Sequence, residues 1–363
     1  MKRLAPYDGS RVFVTGHTGF KGSWLCEMLL LAGAEVHGYA LNPPTKPSLF
    51  RKLKLARRMA THTIGDIRDS SKLAKALKDA SPDFIFHLAA QPLVRESYHH
   101  PAETFDINTM GTIHLLEALR TISRDRRAVG RGNPRVCSTV CITTDKCYEN
   151  DDSGKAFKES DPLGGSDPYS ASKGACEIAI ASYRRSFFAN PNSPVRIASA
   201  RAGNVIGGGD WAKDRIVPDA MRAFLSGNEL IVRNRHSTRP WQHVLEPLTG
   251  YLLLGLALQD NANYAEAFNF GPDANTVRTV NDLVKQLKAR FPTARVLDKT
   301  EPDAPREAKL LTLDSSKARL RLGWTPQWGF AKTVRMTAEW YKAVAEGKNA
   351  RSVTDSQIKE FLK

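Results

Sequence analysis

Tyr169 and Lys173 stand four residues apart in Asp167-Pro168-Tyr169-Ser170-Ala171-Ser172-Lys173. In a helix that spacing puts a phenol and an ammonium on one face. Asp167 suits the N-cap and Pro168 the first turn. A free phenol titrates near about 10, so service as a base at neutrality needs a drop of roughly three units, about 4 kcal/mol. A nearby lysine charge and the positive end of the helix both act in that direction. A second set of chemically able residues, Thr144-Asp145-Lys146, follows an apolar run that ends in Ile142-Thr143. The Thr144 hydroxyl can hydrogen-bond the oxygen that Tyr169 deprotonates. Removing hydrogen from an alcohol needs only Thr144, Tyr169 and Lys173. Asp145 and Lys146, expensive to bury at a strand end, point to an additional proton transfer; a structural salt bridge is the alternative.

The N-terminal half supplies a frame for these groups. Strand-like runs fall at 11–15, 35–40, 84–88, 136–143 and 195–200, with a weaker one near 59–64. Helix-like stretches lie between them at 22–32, 70–80, 104–121 and 168–188. That alternation predicts an α/β fold, a Rossmann-type doubly wound parallel sheet covered on both faces. Such sheets bind ligands at the carboxyl ends of their strands. After Ala200 the pattern loosens into a smaller, discontinuous C-terminal α/β lobe for substrate. We expect residues 1–200 to form the first domain, with returning pieces near 241–270, among them a buried helix at 251–258 and a strand at 267–270. Residues 201–240 and 271–363 form the lobe, with two amphipathic helices after Thr279.

The first strand runs into Gly16-His17-Thr18-Gly19-Phe20-Lys21-Gly22, a GxxGxxG loop placed between a strand and a helix. Gly16 permits a tight turn, Gly19 lets backbone approach a pyrophosphate, and Gly22 allows close helix–strand packing. A dinucleotide therefore fits, and a nicotinamide cation would add to the forces lowering the Tyr169 pKa. The second strand ends in Ala40-Leu41-Asn42, with neither the carboxylate nor the arginine that separates NAD from NADP. Asp66 serves equally well as an adenine contact or as the cap of the helix near Ser70.

Bulk properties narrow the classes. The 363 residues are 41% hydrophobic and 25% charged, ordinary for a folded protein. Neither an apolar run long enough for a membrane span nor a leader-like start is present, which makes the cytoplasm the expected location. Five cysteines without a CxxC pair suit a reducing compartment and no metal. The formal charge of +15 favours anionic partners, but no basic cluster with interleaved aromatics argues for nucleic acid.

Together these residues resemble the extended short-chain dehydrogenase/reductase superfamily, and within it the nucleotide-sugar 4,6-dehydratase branch. The likeness rests on Val14 to Trp24, His87 to Arg95, Thr143 to Tyr148, Leu163-Gly164-Gly165 with Asp167 to Ser170, Ala200 to Trp211, Arg239 to Val244 and Asn269 to Pro272. Lysine at position 146 resembles the members that act on CDP-sugars, where other dehydratases carry glutamate. The resemblance implies NAD as cofactor, CDP-glucose or a similar nucleotide sugar as substrate, and a homodimer paired through helices 104–121 and 168–188, with Ala175, Ile178 and Ile180 suited equally to the bundle or to the core. It implies catalysis by Thr144, Asp145, Lys146, Tyr169 and Lys173. Tyr169 would take the C4 hydroxyl proton, Lys146 (neutral) the C5 proton, and Asp145 (protonated) would donate to the departing C6 hydroxyl.

For the cofactor the resemblance implies Gly16, Thr18, Gly19, Phe20, Gly22, Asp66, Ile67, Leu88, Ala89, Ala90 and Thr143, besides Tyr169 and Lys173. For the substrate it implies Gln91, Arg95, Asn204, Arg215, Arg233, Arg239 and Arg306, with Trp211 and Trp241 as packing residues. Two features depart from the CDP-sugar pattern: Arg306 stands where a histidine is usual, and the stretch Glu149 to Glu159 departs from the aromatic-rich loop often seen there. An epimerase, a dehydratase for another nucleotide, and a non-catalytic RNA- or protein-binding member remain alternatives. The last is disfavoured because Tyr169 and Lys173 are both present.

Overall fold

The computed structural model describes residues 2–128, 136–150, 153–273, 277–299 and 311–363, with the side chains of 125–128 excepted. Its centre is a seven-stranded sheet. In chain order the strands are β1 (Arg11–Thr15), β2 (Glu35–Ala40), β3 (Thr61–Ile64), β4 (Phe84–His87), β5 (Cys137–Ile142), β6 (Val195–Ala202) and β7 (Ala267–Phe270). In space they run β7-β6-β5-β4-β1-β2-β3, every pair parallel. The order reverses between β1 and β4, which opens a crevice at the carboxyl ends of the strands.

The principal helices are α1 (Phe20–Leu31), α2 (Ser70–Ala80), α3 (Gly111–Ala128), α4 (Pro168–Phe187), α5 (Ile216–Leu225), α6 (Leu245–Asp260), α7 (Val280–Lys288), α8 (Phe330–Ala345) and α9 (Ala350–Phe361). Successive strand residues turn to opposite faces. Phe13 and Ile85 therefore join the buried cluster under α2, α3 and α4, while Val12, Val14, Phe84 and Phe86 join the one under α1 and α6. Ile180, read from sequence as a candidate for a dimer bundle, is core. Ile178 is exposed.

Two expectations change. The single helix over 104–121 is a helix at Pro101–Phe105, a wider π turn at Asp106–Met110, and then α3. Buried polar side chains claim the backbone there: the Asn108 carbonyl accepts from Thr112 Oγ1 and Cys176 Sγ. After Thr279 the described residues hold four helices rather than two, because Ser316–Leu322 is too short to show periodicity and Gly347, with φ +90°, breaks α8 from α9. Residues expected in the second lobe share a core with the sheet. Val217, Leu283 and Trp340 belong to the same buried cluster as Val12 and Trp24, and Arg351 of α9 reaches Glu27 of α1 at 3.7 Å. Among the described residues no helix is long and apolar enough to cross a membrane.

Candidate functional site

The loop between β1 and α1 is shaped by close backbone approach. Gly16 has φ +73°, and a Cβ there would lie 2.7 Å from the Ala89 amide at the end of β4. A Cβ on Gly22 would meet the Gly16 carbonyl at 2.2 Å, so this glycine lets the helix press on its own loop. No side chain caps α1. Its first-turn amides stay available to an anion, which suits a dinucleotide pyrophosphate. Thr18 closes the loop onto the end of β2 by donating to the Leu41 carbonyl at 2.8 Å. Thr15 ties β1 to β4 by a 2.8 Å bond to His87.

Asp66 follows β3, and it is Asp69, not Asp66, that caps α2 by accepting from the Lys72 amide. The Asp66 carboxylate is held by Arg68 at 2.7 Å, an engagement that keeps its pKa below the usual range. Ile67 packs on Gly111. Leu88, Ala89 and Ala90 are partly buried where β4 ends.

β5 delivers Thr144, Asp145 and Lys146 as it turns into a short 3-10 segment. The Thr144 hydroxyl donates to Asp145 Oδ1 at 2.9 Å. Burial raises the Asp145 carboxyl above its ordinary range, opposed by Lys146, Thr144 and Lys21. Room for that carboxyl requires Gly203, just past β6: a Cβ there would sit 2.7 Å from Asp145 Oδ2. Tyr169 faces this group from the start of α4, whose N-cap is Asp167 as expected, with Lys173 one turn on; the two are 9% and 5% exposed. Burial pushes the Tyr169 phenol up to about 12, while Thr144 and Arg215 pull it down. In the protein alone, then, the surroundings do not bring the phenol to neutrality.

Sequence reasoning missed several members of this cluster. Lys21, inside the glycine loop, approaches Tyr251 Oη of α6 at 3.4 Å. Burial with the Arg215 and Lys173 charges lowers the Lys21 amine to about 8, against the pull of Asp145. A lysine among loop glycines was a visible signal; its partner 230 residues away was not. Asn108 in the π turn donates to Ser172 of α4 at 2.9 Å. Beneath the site, Glu177 and Arg201 form a sealed ion pair at 2.8 Å. Thr143, expected at the cofactor, donates its hydroxyl to Glu177.

The expected substrate residues divide. Arg215 bonds Asp210 at 3.1 Å and acts on both Tyr169 and Lys21, which places it at the cleft. Arg95 and Arg233 converge on Asp214, at 3.7 and 3.2 Å, from separate elements. Gln91 has both ends of its amide engaged within its own loop, with Leu93 and Thr104. Arg239 lies on a short strand, Thr238–Pro240, and donates to the Thr238 carbonyl. Asn204 is half-buried beside Gly203. Arg306 lies outside the described residues. Trp241 is buried, and Trp211 packs edge-on against Tyr341.

Residues 13–337 match the family described as GDP-mannose 4,6 dehydratase. CDP-glucose 4,6-dehydratase of Salmonella typhimurium is 45% identical over 98% of this chain and 97% of its own. An epimerase structure from Methanothermobacter thermautotrophicus superposes with a TM-score of 0.76 at 24% identity, covering 95% of this chain and 96% of the other. The dTDP-glucose 4,6-dehydratase of Bacillus anthracis, solved in complex with NAD, gives 0.72 at 19% identity over 94% and 99%. The two structures establish a shared fold.

Proposed function

The chain belongs to the GDP-mannose 4,6-dehydratase family, and from that premise we propose that it converts CDP-glucose to CDP-4-keto-6-deoxyglucose and water, a lyase reaction with NAD recycled inside the site. The observation that carries the reading is the buried Asp145 carboxyl, held by Thr144 beside Lys146 and across from Tyr169. A redox-only site has no use for it. The full-length likeness to a CDP-glucose enzyme, with lysine at 146, supports the nucleotide.

NAD, when bound, would supply the acceptor for the C4 hydride and the donor of that hydride to C6. The uncapped start of α1 and the glycine loop would hold its pyrophosphate, with Asp66 near the adenosine side. Tyr169 takes the proton of the C4 hydroxyl. The resulting ketone acidifies C5, where Lys146 removes the proton. Asp145, in the protonated form that burial favours, gives its proton to the C6 hydroxyl as water departs. Arg215, with Arg95, Arg233 and Arg239 around it, suits the substrate diphosphate.

Residues 1–200 with 241–270 serve as the cofactor-binding unit and the remainder as the substrate lobe. Exposed Tyr98, Phe105, Met110, Ile178 and Phe187 lie on α4 and the helical segments before α3, and a homodimer through these helices would cover them. A reducing cytoplasm suits the five buried free cysteines.

The test is incubation of the protein with CDP-, dTDP- and UDP-glucose and with GDP-mannose. Loss of one water from CDP-glucose without net cofactor reduction is expected. Loss from another nucleotide sugar alone would overturn the substrate assignment.

A further inference from the structure

Glu177 lies one turn beyond Lys173 on α4, the spacing at which a lysine and a glutamate ordinarily pair on a helix. Among the described residues no ion pair joins them. The Glu177 carboxylate instead accepts from Thr143 Oγ1 at 2.5 Å, Ser199 Oγ at 2.8 Å and Arg201 Nη2 at 2.8 Å. Both side chains of the ion pair are sealed, Arg201 4% and Glu177 3% exposed. Burial alone would raise the carboxyl; Arg201 and the hydroxyl donors hold it below the usual range. The second arm of the guanidinium is also committed. Nη1 donates to Tyr148 Oη at 2.7 Å and to the Glu159 carbonyl at 3.3 Å, and Tyr148 in turn donates to Asn269 at 2.8 Å.

We propose that Arg201 is a positioning residue of the dehydratase site: by holding Glu177 it prevents that carboxylate from neutralising Lys173, and so leaves the Lys173 charge to act on Tyr169. The inference rests on Tyr169 and Lys173 being the redox pair. A buried carboxylate that loses its partner seeks the nearest cation, and Lys173 is one turn away. A lysine so paired presents almost no net charge to the phenol, whose deprotonation then becomes harder.

The other groups around the pair do not replace this arrangement. Lys173 is faced by Lys21 of α1, His87 of β4 and Cys141 of β5, with Cys176 on its own helix. His87 is held neutral by burial, its pKa near 3. Tyr169 is faced by Asp145 after β5, Arg215 before α5 and Tyr251 of α6, with Asp167 at the start of its own helix. Arg184, further along α4, is the other cation acting on Glu177. Loss of Arg201 therefore leaves Glu177 between Arg184 and Lys173.

The experiment measures kcat/KM across pH for the full-length enzyme with NAD and CDP-glucose. It compares wild type, Arg201→Met, Glu177→Gln and the double variant, with Tyr169→Phe as the inert control. In Arg201→Met the ascending limb that reports Tyr169 should move up by about one pH unit and kcat should fall about 100-fold. Glu177→Gln should leave the limb in place. The double variant should return the limb to its wild-type position, because no carboxylate remains to capture Lys173. A purely structural role would lower Tm in the single variants without moving the limb. An unmoved limb in Arg201→Met, or a double variant whose limb stays with that of Arg201→Met, overturns the proposal.

Should Arg201→Met fail to fold, Arg201→Lys, which keeps a charge but loses the fork, should move the limb the same way by less; an unmoved limb overturns the proposal there too. Wild-type inactivity on CDP-glucose would count against the dehydratase reading instead, and the same limb is then followed on whichever nucleotide sugar the enzyme turns over.

Discussion

The floor of the site and its rim use the same chemistry to opposite ends. On the floor, Arg201 and Glu177 are 4% and 3% exposed and share four further partners. On the rim, Arg95 and Arg233 meet Asp214 with every side chain between 43% and 47% exposed. A desolvated pair is costly to break from one side, because the remaining charge is stranded. An exposed pair is screened, contributes little, and can be exchanged for another anion. On the reading we propose, the floor fixes where protons move, and the rim trades its internal carboxylate for a diphosphate.

Substitutions can break or sharpen this contrast. Tyr169→Phe should reduce turnover by roughly 10³–10⁴-fold with the fold intact by circular dichroism, since it removes the base outright. Asp145→Asn should cost about 10²–10³-fold, yet still permit the first hydride transfer, visible as reduced cofactor that persists. Because burial raises the Asp145 pKa and the proton donor must be protonated, the wild-type rate should fall as pH rises through that elevated value. The asparagine variant should lack this descending limb.

Gly203→Ala, whose methyl would press on Asp145 Oδ2, should lower kcat about tenfold with KM little changed, as a small displacement of a catalytic group does. Smallest is the rim: Arg233→Ala should raise KM by up to about tenfold with kcat nearly constant, and the effect should shrink at high salt. A kcat loss there as large as that of Asp145→Asn would erase the distinction.

Much of the frame was legible because parallel strands buried on both faces announce themselves as short apolar runs. β1, β2, β7 and α2 fall where the sequence places them, and Tyr169 with Lys173 opens α4. Other features depend on contacts that no local pattern encodes. Lys21 and Tyr251 are neighbours only because α1 and α6 cover the same face. Thr143 follows β5, and its hydroxyl goes to Glu177, a partner 34 residues on that no local pattern shows. α6 starts six residues before the helix read from sequence, since Leu245, Glu246 and Pro247 are buried all round and show no periodicity. Asp66 reads from sequence as a cap of α2, and only the geometry shows that Asp69 takes that place.

The central claim is that one hydride leaves C4 and comes back at C6 while Tyr169, Lys146 and Asp145 move the protons. CDP-glucose carrying deuterium at C4 tests it most directly, with the product's label located by NMR. The account predicts loss of one water, deuterium at C6, and no net reduction of NAD. Deuterium still at C4 in a product that has kept its water, or accumulation of reduced cofactor in step with product, would contradict it.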